Sequence, residues 1–138
     1  MTLPRISVCI ATYKRADRLA LLLQDLLNQT LLPVQVVVVD NDAGLSAQAT
    51  VDQFNAQQPT RTATFELVYG TQLERNISLT RNLTVAMATG DWLAFIDDDE
   101  RAPPNWLQQL YDSACANGAD GVLGPVIPEL PAQAPDWI

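Results

Sequence analysis

Histidine is absent from this chain of 138 residues, and cysteine occurs only twice, at Cys9 and Cys115. Zinc sites are built from Cys and His with an occasional carboxylate, so a zinc centre is excluded in practice. Both cysteines fall inside apolar patterns, Cys9 of a strand and Cys115 of a helix. They are expected as small core or near-core residues, not as a disulfide. Lysine occurs once, as Lys14, and there is no G-x-x-x-x-G-K-[ST], which removes the P-loop class. No G-x-G-x-x-G follows the first apolar run, which removes the common dinucleotide fold. No apolar run approaches 18 residues, and no h-region follows Met1-Thr2-Leu3-Pro4-Arg5. Neither a membrane span nor a signal peptide is expected, and the expected compartment is the cytoplasm. A basic excess is missing too. Residues 1–90 hold seven acids and seven bases, and residues 91–138 hold nine acids and only Arg101. Nucleic acid needs a basic footprint, so it is excluded as a partner.

The hydrophobic content of 48% against 17% charged residues fits one globular domain with a sizeable core. Strand and helix patterns alternate. Ile6–Ala11 reads as a strand. Asp17 can cap a helix whose apolar positions are Leu19, Leu22, Leu23, Leu26 and Leu27, one face at helical spacing. Val36–Val39 is β-branched throughout, as a strand buried on both faces should be. Ser46 can cap a weaker helix to about Gln57, with Ala47, Val51 and Phe54 inward. Thr62–Tyr69 reads as a third strand ended by Gly70. Ser78 can cap a helix to Thr89, with Leu79, Leu83, Ala86 and Met87 on its inner face and Gly90 as its stop. Asp91–Ile96 is a fourth strand. Pro103-Pro104 opens a helix carrying Trp106, Leu107, Leu110, Tyr111 and Ala114, which Gly118 ends. Gly121–Ile127 is expected as a fifth strand. This order predicts an α/β fold, a doubly wound and mainly parallel sheet. The proline-rich tail closes on Trp137-Ile138, which predicts that the fold is truncated and that its open edge self-associates.

The decisive feature is Asp97-Asp98-Asp99-Glu100, four carboxylates directly after the apolar run Trp92–Ile96. Such a block needs a counter-charge, and hard divalent cations prefer oxygen ligands. A cation held by one or two carboxylates shares its other positions with water and a substrate phosphate. In open α/β sheets ligands bind beyond the carboxyl ends of the strands. Here those ends are Ala11-Thr12-Tyr13-Lys14-Arg15, Asp40-Asn41-Asp42 and Asp97-Asp98-Asp99. An aromatic ring, hydrogen-bonding side chains, basic groups and metal-binding acids together suit a nucleoside diphosphate. The ring of Tyr13 can cover a base, and either Asp40 or Asn41 can meet its polar edge.

These segments resemble the amino-terminal half of the family 2 inverting glycosyltransferases, which have the GT-A fold. The resemblance is carried by Val8-Cys9-Ile10-Ala11-Thr12-Tyr13-Lys14-Arg15, Val36–Asp42, Ser78-Leu79-Thr80-Arg81-Asn82 and Gly90–Glu100, in the family's order and spacing. It implies a nucleotide-sugar donor, a UDP-sugar first, and a saccharide or lipid-linked saccharide acceptor. Ala11, Thr12, Tyr13, Arg15, Asp40, Asn41, Arg81, Asn82, Asp97 and Asp98 would form the nucleotide site. Asp97-x-Asp99 matches the D-x-D motif, so Asp99 and Asp97 would hold Mn²⁺ or Mg²⁺, with Asp98 toward the ribose or sugar. Many relatives carry two acids at the end of strand two, where this chain has Asp40-Asn41-Asp42.

The resemblance implies a hexosyltransferase of polysaccharide biosynthesis, acting at the inner face of the cell membrane as a full-length protein. The family's catalytic base is a carboxylate beyond the metal motif. Nothing after Glu100 matches that motif, so residues 1–138 are expected to be the donor-binding part, with the acceptor- and base-bearing part beyond. The rival reading is a nucleotide-diphosphate-binding module without catalysis. A phospho-acceptor signalling domain needs acids after strand one and a late lysine, and the chain has neither.

Overall fold

A computed structural model describes residues 2–137. They fall into two compact units that meet after Gln108. The first contains β1 (Ile6–Thr12), α1 (Ala16–Leu27), β2 (Gln35–Asp40), α2 (Gln48–Gln57), a 3₁₀ turn (Gln58–Thr60), β3 (Glu66–Thr71), α3 (Ile77–Met87) and β4 (Trp92–Phe95). A further helix, α4 (Trp106–Asn117), begins in the first unit and runs into the second. In the second unit Gly118 adopts φ +56°, the left-handed conformation that ends a helix.

The four strands form one sheet in the order β3-β2-β1-β4, parallel at every pairing. β2 lies inside it, and Val36, Val37, Val38 and Val39 are fully buried. That is why this run shows no polar alternation. Parallel crossovers are right-handed. The chain moves from β1 through β2 to β3 in one direction, which puts α1 and α2 side by side on one face. It then returns past β1 to β4, which puts α3 on the other face, against β1 and β2. The direction reverses between β1 and β4, where open α/β sheets place their ligand crevice. Register aligns Thr12 with Asp40 and Asp40 with Thr71, so the strand ends form a level rim.

The α1 face is packed as its spacing predicts, with Leu19, Leu22, Leu23 and Leu26 buried. The inner face of α3 departs from expectation. Its buried residues are Thr80 and Thr84, while Leu79 is 37% exposed. Each threonine hydroxyl donates to a carbonyl of its own helix, Thr80 to Asn76 and Thr84 to Arg81. With its hydroxyl satisfied locally, a threonine packs as a small apolar group.

Several expected boundaries move. Asp17 lies in the first turn of α1, and Arg15 occupies the cap position without a side-chain hydrogen bond that caps the helix. Ala47, not Ser46, precedes α2. Asn76, not Ser78, caps α3, accepting from the N–H groups of Ser78 and Leu79. The helix ends at Met87, so Gly90 is not its stop. Gly90 instead serves close packing, since a Cβ there would lie 2.6 Å from the Ser7 backbone nitrogen and 2.8 Å from the Arg5 carbonyl oxygen. β3 starts only at Glu66 and includes Gly70. The fifth strand does not form: residues 121–127 have no regular structure, and Leu123, Val126 and Ile127 are exposed. A strand needs a neighbour's backbone to bond to, and its sequence cannot supply one. Cys9 is buried as expected, but Cys115 is exposed; both are free thiols.

The amino ends of β1 and β2 close mainly through neutral groups, with one charged donor, Arg5 Nη2 to the Thr89 carbonyl at 3.3 Å. Ser7 Oγ donates to Gln35 Oε1 at 2.7 Å and accepts from the Gly90 N–H. Gln35 Oε1 also accepts from the Thr89 N–H, while its Nε2 donates to the Met87 carbonyl. This ties the exit of α3 to the sheet. Among the described residues no helix is long and apolar enough to cross a membrane.

Candidate functional site

Asp98 follows β4 and is 4% exposed, a buried carboxylate at the switch between β1 and β4. Thr12, the last residue of β1, donates its hydroxyl to Oδ2 at 3.0 Å. The Tyr13 N–H points at the same oxygen at 3.4 Å, and Arg15 Nη1 reaches Oδ1 at 2.9 Å. Lys14 between them has φ +51°, a left-handed conformation that is costly without glycine. That kink lets its two neighbours address one carboxylate. Arg15 Nη1 lies 3.2 Å from Asp99 as well. The Asp98 hydrogen bond first, then the charges of Asp98 and Asp99, hold the Arg15 guanidinium protonated beyond its ordinary range. Arg81 of α3 pairs with Asp97 at 3.0 Å.

Burial separates these acids. The side chain of Asp98 is 5% exposed, against 54% for Asp97 and 47% for Asp99. A buried carboxylate needs its three donors. Exposed ion pairs contribute little stability and exchange readily. Asp97 and Asp99 can therefore leave their arginines for another cation, whereas Asp98 is fixed.

The acids border a cavity of about 230 Å³ that Ala11 and Thr12 line from β1, Tyr13 and Arg15 from the turn between β1 and α1, Asn41 from just after β2, and Ile77 and Arg81 from α3. Most of the residues expected from the sequence thus meet at one place. Two do not line it. Asp40 is fully buried, and its carboxylate accepts from the N–H groups of Asp42 and Ala47 and from the Tyr69 hydroxyl. Burial first, then the Asp40 hydrogen bond and charge, push the Tyr69 phenol up from its ordinary pKa. Asn82 is exposed on α3. Asn41 borders the cavity, but its polar atoms bind the backbone of Gln72, Glu74 and Asn76.

Sequence reasoning missed Ile77 and the role of Arg75, whose guanidinium carbon lies 4.5 Å from the centroid of the Tyr13 ring. The Lys14 ammonium is 5.3 Å from the same ring. The Arg75 contact joins segments far apart in sequence, so spacing does not reveal it. Asn76 could have been found: an Asn one residue before an apolar helical pattern is a cap signal. The exit from the acid block is pinned as well. Arg101 forms a two-pronged pair with Asp25 at 2.7 and 2.8 Å, and Gln29 bonds the Pro103 carbonyl and the Leu107 N–H.

The donor chemistry fits a hard cation: three consecutive carboxylates, two of them half-exposed and held only by arginine. It does not fit a protein cage, since no group of three or more metal-binding side chains converges among the described residues. An ion here would complete its shell with water and phosphate oxygens.

The sequence profile of glycosyl transferase family 2 matches residues 7–136. The chain belongs to that family. Succinoglycan biosynthesis protein ExoM of Rhizobium meliloti (strain 1021) is 37% identical over 136 residues, covering 96% of this chain and 42% of the relative. A glucosyl-dolichyl phosphate glucuronosyltransferase of Haloferax volcanii is 29% identical over 137 residues, with the same coverage of 96% and 42%. The chain therefore spans 42% of the length of each. Among solved structures, S. aureus TarS 1-349 in complex with UDP-GlcNAc superimposes with a TM-score of 0.67 at 22% identity, covering 91% of this chain and 37% of that one. The mannosyltransferase PcManGT from Pyrobaculum calidifontis, in complex with GDP-Man and Mn²⁺, gives 0.64 at 24% identity, covering 75% and 30%. The fold of this family 2 chain is thus the GT-A glycosyltransferase type.

Proposed function

We propose that this chain is the donor-binding part of an inverting glycosyltransferase that moves a sugar from a nucleoside diphosphate to an acceptor hydroxyl. The observation that carries the reading is the convergence of Tyr13, Arg15, Arg81 and Asp97–Asp99 on one cavity at the carboxyl ends of β1 and β4. Solved relatives of the same fold hold UDP-GlcNAc or GDP-Man, which supports a nucleotide sugar as ligand; a UDP-sugar is our first assignment. The Tyr13 ring takes the base. Asp98, locked by Thr12, Tyr13 and Arg15, faces the ribose or sugar. Arg15 and Arg81 are the cations nearest the diphosphate, and their present partners are the acids themselves.

Asp99 and Asp97 would hold Mn²⁺ or Mg²⁺. When bound, such an ion supplies Lewis-acid stabilisation of the departing diphosphate charge. The acceptor hydroxyl needs a carboxylate base. Among the described residues the acids that line the cavity are Asp97, Asp98 and Asp99, of which Asp97 and Asp99 are here given to the metal and Asp98 to the ribose or sugar. We therefore assign the base to the portion of the relatives that this chain does not cover. The names of the relatives support a saccharide or lipid-linked saccharide acceptor; work at the inner face of the membrane is part of the proposal.

Calorimetric titration of UDP, CDP and GDP with Mn²⁺, Mg²⁺ or EDTA tests the reading. A nucleoside diphosphate should bind with either metal and at least about tenfold more weakly in EDTA, a loss of roughly 1.4 kcal/mol. The reason is that diphosphate and the acid block repel without a cation between them. Equal affinity in EDTA removes the metal role, and no binding of any diphosphate removes the function.

A further inference from the structure

Asn41 stands at the end of β2, 7% exposed, and its carboxamide is almost fully engaged by backbone. Nδ2 donates to the Gln72 carbonyl at 2.8 Å and to the Glu74 carbonyl at 2.7 Å, and Oδ1 accepts from the Asn76 N–H at 3.1 Å. A primary amide has two N–H donors. Both are taken, so a nucleobase could reach at most one lone pair. The bonds fall on alternate residues of 72–76, the connection from β3 to α3. One buried side chain thus does for this loop what a paired strand would do.

Much of the cavity wall depends on that loop. Arg75 lies in it, with its guanidinium carbon 4.5 Å from the Tyr13 ring centroid. Asn76 ends it and starts α3, accepting from the Ser78 and Leu79 N–H groups at 3.0 and 3.2 Å. The Thr80 hydroxyl locks the same turn by donating to the Asn76 carbonyl at 2.7 Å. This turn presents Ile77, and one turn on Arg81, to the cavity. The chain of bonds runs from Asn41 to Asn76 to the first turn of α3 without a gap.

We propose that Asn41 is a positioning residue of the nucleotide site, which fixes loop 72–76 and thereby the Arg75–Tyr13 contact and the Ile77/Arg81 wall. The proposal rests on the donor-binding reading above. It gives Asn41 a different part from the base contact that its place at the end of strand two suggests. A contact residue would select among bases. A positioning residue sets affinity for every ligand that uses the wall and leaves selectivity alone.

Two variants of the purified protein separate these roles. Asn41→Ala removes all three bonds. Asn41→Asp is nearly isosteric, keeps the acceptor for Asn76 and loses both donors, so it reports even if the alanine variant folds poorly. The readouts are amide hydrogen exchange along the chain and affinity for UDP, CDP and GDP in Mn²⁺. In both variants exchange across 72–80 should speed up at least about tenfold, with β1 and β2 unchanged. All three diphosphates should weaken by a similar factor, about tenfold, with their ranking preserved. Unchanged exchange across 72–80 would overturn the proposal. So would a loss confined to one base, which marks direct contact. Absence of nucleotide binding by the unsubstituted protein overturns the proposed function instead, and the exchange data still decide whether Asn41 holds the loop.

Discussion

The two ends of the same sheet handle polar groups in opposite ways. At the amino ends, Ser7, Gln35, Thr89 and Gly90 satisfy one another with neutral hydrogen bonds, and Gly90 packs so tightly that a Cβ would meet backbone. At the carboxyl ends of β1 and β4 the groups that border the cavity are largely ions. Of the three acids there only Asp98 is sealed, while Asp97 and Asp99 pair with arginines about half-exposed. Neutral, buried and saturated bonds hold a fold. Charged, exposed and exchangeable pairs can be traded for a metal and a diphosphate. The contrast assigns stability to one end and function to the other.

The largest effect should come from breaking the closed end. Gly90→Ala places a methyl 2.6 Å from the Ser7 nitrogen and 2.8 Å from the Arg5 carbonyl, both backbone atoms that cannot move alone. Overpacking of this kind costs about 3 kcal/mol, at the upper end of its range. Urea unfolding should show that loss. Where the variant remains folded, nucleotide affinity should be unchanged, because the cavity lies at the other end of the strands. A large change in affinity with little change in stability would reverse the assignment.

At the open end the pattern should invert. Asp99→Ala should abolish the metal dependence of diphosphate binding, a loss of roughly tenfold or 1.4 kcal/mol. Its stability should change by no more than about 0.5 kcal/mol, since an exposed carboxylate packs little. Asp91→Ala, at the amino end of β4 and also exposed, is the matched control and should alter binding little. Identical calorimetric behaviour of the two variants would remove Asp99 from the site.

The two ends also differ in how far the sequence reveals them. The Val36–Val39 run, the leucine spacing of α1 and the acid block after β4 are contiguous or periodic signals, and they place the sheet and the edge where chemistry can occur. What pairs across distance is not legible. Nothing in the spacing links Arg15 to Asp98, Arg75 to Tyr13, or Asn41 to loop 72–76; each link needs the crossovers to be closed first. The inner face of α3 was hidden for another reason, because Thr80 and Thr84 read as polar until their hydroxyls are seen to bond within the helix. Gly121–Ile127 has strand composition, yet forms no ladder. β-propensity describes a residue's fit to a sheet already present.

The smallest expected effect tests an ion pair that belongs to neither end. Arg101, directly after the acid block, is held by Asp25 of α1, which also accepts from the Ala102 N–H. Asp25 is largely covered, 14% exposed, whereas Arg101 is 48% exposed, so the pair is only partly shielded from water. Burial alone would raise the Asp25 pKa. The Arg101 hydrogen bond, the Ala102 N–H and the Arg101 charge outweigh it, so the carboxyl is held below its ordinary value. A carboxyl depressed in the folded state stabilises it above the unfolded pKa of about 3.9. That contribution fades as pH falls through the lower folded value. With half the pair in water it amounts to about 1 kcal/mol at most. Asp25→Asn should therefore be less stable than the unsubstituted protein by that amount at pH 7 and pH 5 in urea unfolding, and the gap should narrow toward pH 3. A gap of the same size at pH 3 would make the loss one of packing, and the exit of the acid block would then be held as the closed end is, by shape and neutral bonds.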